Sequence, residues 1–142
     1  MIELLMVFVL VGIVMAIAIR SVGDTIRRDR LNKSMAIVSA DLEQAFALAA
    51  RQRTPIRVLF DSAKMTVAVA DRADTTMKYR VRQFKTGDLA LDFMSPSRNT
   101  LDILPSGLSA DTLSLRIGIF SKNNSTYSRT LRMTRGGMVR IK

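Results

Sequence analysis

Residues 4–19 read LLMVFVLVGIVMAIAI, sixteen consecutive positions without a polar side chain. The carboxylate of Glu3 stands directly before this run, and Arg20 follows it. As an α-helix the run would be roughly 24 Å long, a little short of the ~30 Å hydrocarbon core of a bilayer. An arginine at its end can reach the headgroup layer and make up the difference. The run therefore predicts a membrane-spanning helix.

Two other interpretations of this run are weaker. A secretory signal begins with a basic region and ends at a small-residue cleavage site, and neither feature is visible here. A core helix that is apolar on all sides needs burial on all sides, which a chain of 142 residues supplies with difficulty. Within the membrane helix, Gly12 and Ala16 have a spacing that permits close helix approach. The residues that mark it are Leu4, Phe8, Gly12, Ala16 and Ile19.

The N-terminus, Met1-Ile2-Glu3-Leu4-Leu5 followed by the aliphatic residues 11–19, resembles the head of the type IV pilin and type II secretion pseudopilin superfamily. The resemblance implies that this helix joins a filament of other pilins or pseudopilins after leaving the membrane lipid. It also implies that Glu3 neutralises the terminal amine of a neighbouring subunit during assembly. Members of the family have a leader, which prepilin peptidase cleaves before the new N-terminus is methylated. The sequence as given begins at Met1 without it, and we expect the leader to be encoded upstream.

A single long helix is predicted from residue 2 to residue 53, because no proline interrupts it and Thr54-Pro55 ends it. At 52 residues it would be roughly 78 Å long, more than a small domain can bury. Arg20 stands where many major pilins have a kinking proline, which implies a straighter helix. An apolar stripe at helical spacing runs from Val22 to Ala49, and we expect its part from Leu31 onward to pack against the sheet. We therefore expect residues 1–30 to form the membrane and filament segment and residues 31–142 to form the globular domain.

After Pro55 the apolar period changes from helical to twofold, which predicts short antiparallel strands. The fold class is therefore α+β and pilin-like, with the long N-terminal helix packed on a small antiparallel β-sheet domain. The predicted strands span residues 56–60, 65–69, 77–84, 89–94, 101–104, 113–120, 126–134 and 138–141.

Later motifs resemble the H-type minor pseudopilins, the GspH/FimT family. They are residues 41–51 with the strand at 56–58, Leu104-Pro105-Ser106-Gly107, and the closing residues 137–141. The resemblance implies a minor pseudopilin of a type II secretion system, anchored in the inner membrane with its globular domain in the periplasm. The basic residues that follow the apolar run favour the opposite orientation by the positive-inside rule, so a membrane-tethered cytoplasmic module remains a third interpretation.

Composition argues against an enzyme. The chain has no cysteine and no histidine, which removes thiolate ligands and the commonest general base. Asp71 and Asp74 flank Arg72 in a predicted turn, and we interpret them as solvated turn residues, not as a metal site. Gly136-Gly137 lacks the lysine and helix of a phosphate loop, so a hairpin turn explains it. We expect no catalytic residue, metal or cofactor.

The net charge of +10 is concentrated after residue 54, and no acidic residue follows Asp111. Strand alternation predicts a basic face that projects away from the apolar side carrying Val81, Leu115 and Leu131. A solvated or subunit-facing surface is the simpler interpretation. DNA is the alternative partner, because some members of the family are DNA-binding minor pilins used in uptake or adhesion, although Tyr127 is the only aromatic residue expected near this face. The candidate nucleic-acid-binding residues are Lys78, Arg80, Arg82, Arg116, Arg132, Arg140 and Lys142.

Overall fold

A computed structural model of the chain describes residues 2–120 and 126–142, apart from the side chains of residues 17–21. Helix α1 runs without interruption from Ile2 to Gln52, which confirms the predicted single helix. Arg53 then adopts a left-handed conformation, with φ of 55°, as residues that follow a helix often do. Met1 and the predicted membrane residue Ile19 lie outside the described residues and side chains. In the part of the chain so described, no helix is both long and apolar enough to span a membrane.

The two halves of α1 differ in burial, as predicted. Val22 and Ile26 are exposed, whereas the apolar stripe from Leu31 onward faces the domain. Helix α1 contacts strands of both sheets described below through this stripe. Full burial of one such side chain contributes about 1.5–3 kcal/mol. The buried stripe consists of Leu31, Met35, Val38, Leu42, Ala45 and Ala49.

Eight strands follow the helix in the described residues, and each predicted strand has an observed counterpart. The strand predicted at residues 89–94 begins later than expected, because a 3-10 helix, Gly87–Leu89, reaches its first residue and the observed strand begins at Phe93. The bounds are β1 Ile56–Asp61, β2 Thr66–Asp71, β3 Lys78–Gln83, β4 Phe93–Pro96, β5 Thr100–Ile103, β6 Leu113–Phe120, β7 Thr126–Met133 and β8 Val139–Ile141.

These strands form two four-stranded antiparallel sheets, where the sequence predicted one small sheet. The first sheet has the order β3-β2-β1-β5, and the second has the order β4-β6-β7-β8. Twofold periodicity identifies strands but carries no information on which strand pairs with which, so it could not separate the two sheets. The α+β class with a long helix on antiparallel strands is confirmed.

The domain core lies between α1 and the inner faces of both sheets. Strand β1 contributes Ile56, Val58 and Phe60, which alternate with half-buried residues. Strand β6 contributes inward residues at the same period, among them Leu115 and Ile117. Because both sheets turn their apolar faces to the same helix, their outer faces are left for solvent or partners.

Candidate functional site

The first half of α1 is an apolar surface without a cover. Leu4 and Phe8 are exposed, and an added Cβ at Gly12 would meet no atom within 4 Å. Ala16 is also exposed, and Glu3 lies in the first helical turn. Monomeric soluble proteins rarely expose a contiguous apolar surface of this kind. A carboxylate near a helix N-terminus interacts favourably with the helix dipole even without a charged partner. The position of Glu3 therefore does not by itself identify a partner for it.

The seven predicted basic residues do not form one surface. Arg80 and Arg82 turn toward α1, so the prediction that they project away from the core was wrong. Their strand neighbour Val81 is 53% exposed instead. Twofold alternation correctly separates Arg80 and Arg82 from Val81, but it does not say which face is inside. Apolar residues normally occupy the inner face of a strand. Here a carboxylate on the helix draws the two arginines to that face, and Val81 lies on the outer one.

The carboxylate is that of Asp41, which is only 2% exposed in the C-terminal half of α1. Arg80 Nη1 donates to Asp41 Oδ1 at 2.8 Å, and Arg82 Nε donates to Asp41 Oδ2 at 3.0 Å. Arg80 also donates to Gln44 on the next turn of the helix. A buried carboxylate is tolerated when both oxygens are paired in this way. We call this group, Asp41 with Arg80 and Arg82, the Asp41 clamp; it fastens edge strand β3 to the helix.

Lys78 is separated from both arginines by a shift in register. The pairing of β2 with β3 changes between Val69 and Ala70, so that Ala70 pairs with Lys78 while Val69 pairs with Arg80. Lys78 therefore lies along an open groove on the outer side of the first sheet, which Val81 also lines. Such a bulge reverses which residues share a face, and the sequence carries no clear signal for it.

The outer face of the second sheet does carry a cluster of cations. Arg132 pairs with Arg140 across β7 and β8, so two like charges stand directly opposite each other. Thr130 pairs with Arg116 on one side and exchanges backbone hydrogen bonds of 2.9 Å with Lys142 on the other. We define Arg116, Arg132, Arg140 and Lys142 as the basic face.

Two aromatic residues share this face, and the sequence analysis missed them. The rings of Phe93 and Phe120 have centroids 5.5 Å apart, and the guanidinium carbon of Arg116 lies 5.9 Å from the Phe93 centroid. Phe120 is 59% exposed. Tyr127, the aromatic residue expected here, lies on the helix side of β7. Phe120 lies four strand positions after Arg116, and residues an even number apart on a strand share a face. This spacing predicts that Phe120 lies on the same face as Arg116.

The outer face of the first sheet carries an ion-pair cluster around Asp102. Arg57 Nε and Nη2 donate to Asp102 Oδ1 and Oδ2 at 2.6 and 2.9 Å, and Arg72 Nε lies 3.3 Å from Asp102 Oδ2. The hydrogen bond from Arg57 holds the pKa of Asp102 below its usual range. Arg57 pairs directly with Asp102 across β1 and β5, so the ion pair bridges the two strands.

We expect the Asp102 pair to make stability depend on pH. A carboxyl pKa lowered by folding stabilises the protein above the unfolded value near 3.8, and the contribution disappears as pH falls through the folded pKa. Asp102→Asn should therefore lower the free energy of unfolding at pH 7, and the difference from the native chain should shrink as the pH falls below about 4. Urea unfolding at a series of pH values measures this. A difference that stays constant over that range would contradict it.

The two acidic residues singled out from the sequence, Asp71 and Asp74, are turn residues in the structure. Asp71 Oδ1 accepts a hydrogen bond from Ala73 N at 2.8 Å, and Asp74 Oδ1 accepts one from Thr76 N at 2.9 Å. Among the described residues, no group of three or more acidic, histidine or cysteine side chains is placed to hold a metal ion.

Comparison with known proteins gives a likeness in fold. No protein-family model and no curated protein matches the chain. Two crystal forms of the type IV minor pilin FimU from Pseudomonas aeruginosa do match, each at 15% identity. One has a TM-score of 0.64 over 81% of this chain and 90% of FimU, and the other a TM-score of 0.59 over 79% and 92%. The chain therefore has the pilin fold.

Proposed function

We propose that this chain is a subunit of a type IV pilin-like filament, with residues 1–30 as its membrane and filament-core segment. The observation that carries the proposal is the division of α1. Its second half packs its apolar stripe against the globular domain, while the apolar side chains of residues 2–15 are exposed. Lipid would cover this surface before assembly, and the helices of neighbouring pilins or pseudopilins would cover it afterwards. The pilin fold of the chain supports this assignment of the two halves of α1 to the filament core and to the globular domain.

Within that class, we propose a minor pseudopilin of the H-type in a type II protein secretion system, anchored in the inner membrane with the domain of residues 31–142 in the periplasm. The motifs at residues 41–58 and 104–107 support the subfamily. A leader upstream of Met1 would make the chain a substrate of prepilin peptidase. Since the chain has no cysteine, Lys85→Cys offers a single thiol for orientation. Labelling by a membrane-impermeant maleimide in spheroplasts supports a periplasmic domain, and labelling only after lysis refutes it.

Glu3 is proposed to direct assembly. A carboxylate in an apolar, low-dielectric environment is costly unless an opposite charge pairs with it, so a neighbour's terminal amine would be attracted to it. We expect Glu3→Ala to leave membrane insertion unchanged and to reduce incorporation into sheared filaments by more than tenfold. Immunoblots of membrane and filament fractions measure both quantities.

Glu43→Ala is the matched control for this experiment. Glu43 is the only other glutamate in the sequence, and it lies exposed on the same helix within the globular half. Both variants lose one carboxylate from α1, so a difference between them reports position and not net charge. Normal filament incorporation of Glu3→Ala, or an equal loss with Glu43→Ala, would refute the proposed role.

A second candidate is a DNA-binding minor pilin of a type IV pilus used in DNA uptake or adhesion. The basic face favours it, because its four cations lie on the paired strands β6, β7 and β8 and on the residue that follows β8. Phe93 and Phe120 add an aromatic surface on which bases can stack. The structural neighbours are themselves type IV minor pilins.

DNA binding of the full chain in detergent micelles, titrated with salt, tests this candidate. We expect Arg132→Gln with Arg140→Gln to reduce the dependence of log affinity on log salt by about two, one for each lost phosphate contact. Arg28→Gln with Arg129→Gln removes the same charge from the helix side of the domain and should change the dependence less. Absence of binding at low salt eliminates the candidate.

A further inference from the structure

A small cleft of about 210 Å³ lies where the emerging half of α1 meets the second sheet. It is distinct from the basic face, because none of the four residues of that face lines it. Its lining combines two arginines, one aromatic ring and one buried leucine. The lining residues are Arg28, Leu31, Tyr127, Ser128 and Arg129.

Strand alternation and one cation–π contact arrange these side chains. Tyr127 and Arg129 are separated by even steps from Leu131, which is buried against the helix, so they project to the same side. The guanidinium carbon of Arg28 lies 5.5 Å from the centroid of the Tyr127 ring. A cation over an aromatic face is held in place electrostatically. Arg28 and Arg129 therefore line the same cleft.

Neither of these guanidiniums forms an ion pair with a carboxylate in the described residues. The acids nearest to Arg28 along the chain have other partners. Asp24 binds Arg27 at 2.9 Å, and Asp29 binds Lys33 at 2.6 Å. Residues 1, 17–21 and 121–125 contain no acid in the sequence. The cleft therefore holds two positive charges and up to ten N–H donors without an anionic acceptor.

We propose that this cleft binds a phosphate group, with Arg28 and Arg129 donating to its oxygens and Tyr127 positioning Arg28. A phosphate offers more acceptor oxygens than a carboxylate, and it matches two planar guanidinium forks approaching from different sides. Its charge also relieves the repulsion between the two arginines.

The phosphate can come from the headgroup of an anionic phospholipid or from a free phosphate ester. Arg28 stands nine residues beyond Ile19, roughly 14 Å further along the helix, which is close to the membrane surface if residues 4–19 span the bilayer. The lipid source rests on the proposed membrane anchoring. The free source does not, so the two can fail independently.

The test uses the full chain in maltoside micelles, which contain no phosphate. One arm adds inorganic phosphate, and the other adds phosphatidylglycerol to the micelles. The NMR signals of the arginine Nε–H groups identify which arginines respond, and the Tyr127 ring signals report binding in every variant. Sodium chloride at equal ionic strength is the reference. The variants are Arg28→Gln with Arg129→Gln and, as a control of equal charge, Arg132→Gln with Arg140→Gln.

We expect saturable shifts at Arg28, Arg129 and Tyr127 before the arginines of the basic face respond. The apparent Kd should rise at least tenfold in the Arg28 and Arg129 variant and less than twofold in the control. A response to inorganic phosphate supports the free source, and a response to phosphatidylglycerol alone supports the headgroup. The proposal is overturned if neither arm responds, if chloride reproduces the shifts, or if the control variant weakens binding equally.

Discussion

Asp41→Ala is expected to lower the free energy of unfolding of the globular domain by about 2–3 kcal/mol. Removing one member of a fully buried ion pair costs about 3–5 kcal/mol, because its partner charge is left uncompensated. Here Asp41 is 2% exposed, but the side chains of Arg80 and Arg82 are 40% and 38% exposed and can turn toward water. The loss should therefore lie below that range. Urea unfolding of the full chain in maltoside micelles, followed by circular dichroism, measures it.

Asp29→Ala is the matched control for the Asp41 clamp. Asp29 lies on the same helix and also pairs with a cation, but both partners are exposed, at 55% for Asp29 and 64% for Lys33. Such surface pairs contribute little, and we expect no measurable change. Equal effects of the two substitutions would show that the Asp41 clamp does not hold β3 on the helix. Loss of hydrogen-exchange protection in β3 in the Asp41 variant alone would locate the effect.

Gly118→Ala is expected to cost about 2–3 kcal/mol, because the second sheet has no room for a methyl group at this position. An added Cβ would lie 2.2 Å from Phe93 Cε1 and 2.8 Å from the Tyr127 carbonyl oxygen. Phe93 pairs with Gly118 across β4 and β6, so its ring lies over the glycine in the manner known as aromatic rescue. The same unfolding measurement applies.

Two further substitutions separate the steric cause from a general glycine effect. Gly136→Ala places a methyl group where no atom lies within 4 Å, and it should leave stability nearly unchanged. Phe93→Ala combined with Gly118→Ala removes the closer of the two contacts, so the double variant should lose less than the two single variants together. Simple additivity of the two losses would contradict the proposed contact. The Phe93 ring lies 5.9 Å from the guanidinium carbon of Arg116, a member of the basic face. The double variant should therefore also be compared with the native chain in the DNA titration.

The candidate surfaces were only partly predictable from the sequence. One face holds Arg116, Arg132, Arg140 and Lys142, because β6, β7 and β8 pair in regular register and Lys142 directly follows β8. Arg80 and Arg82 do not lie on it, because their preferred side depends on Asp41, which lies about forty positions earlier in the chain. Lys78 is displaced by the bulge opposite Val69. Twofold alternation therefore predicts which residues share a face only where the pairing of neighbouring strands is regular.

The amino-acid sequence by itself determined the long helix, its end near Pro55 and most of the strands, since these follow from local periodicity and from the backbone limits of proline. It also determined the apolar stripe from Leu31, because helical spacing alone places those residues on one side. Only the tertiary structure decided that the strands divide into two sheets, that β3 turns its arginines inward and that Phe93 and Phe120 join the basic face. These features depend on which distant residues meet, and a single buried carboxylate can outweigh the preference of exposed apolar residues for the interior.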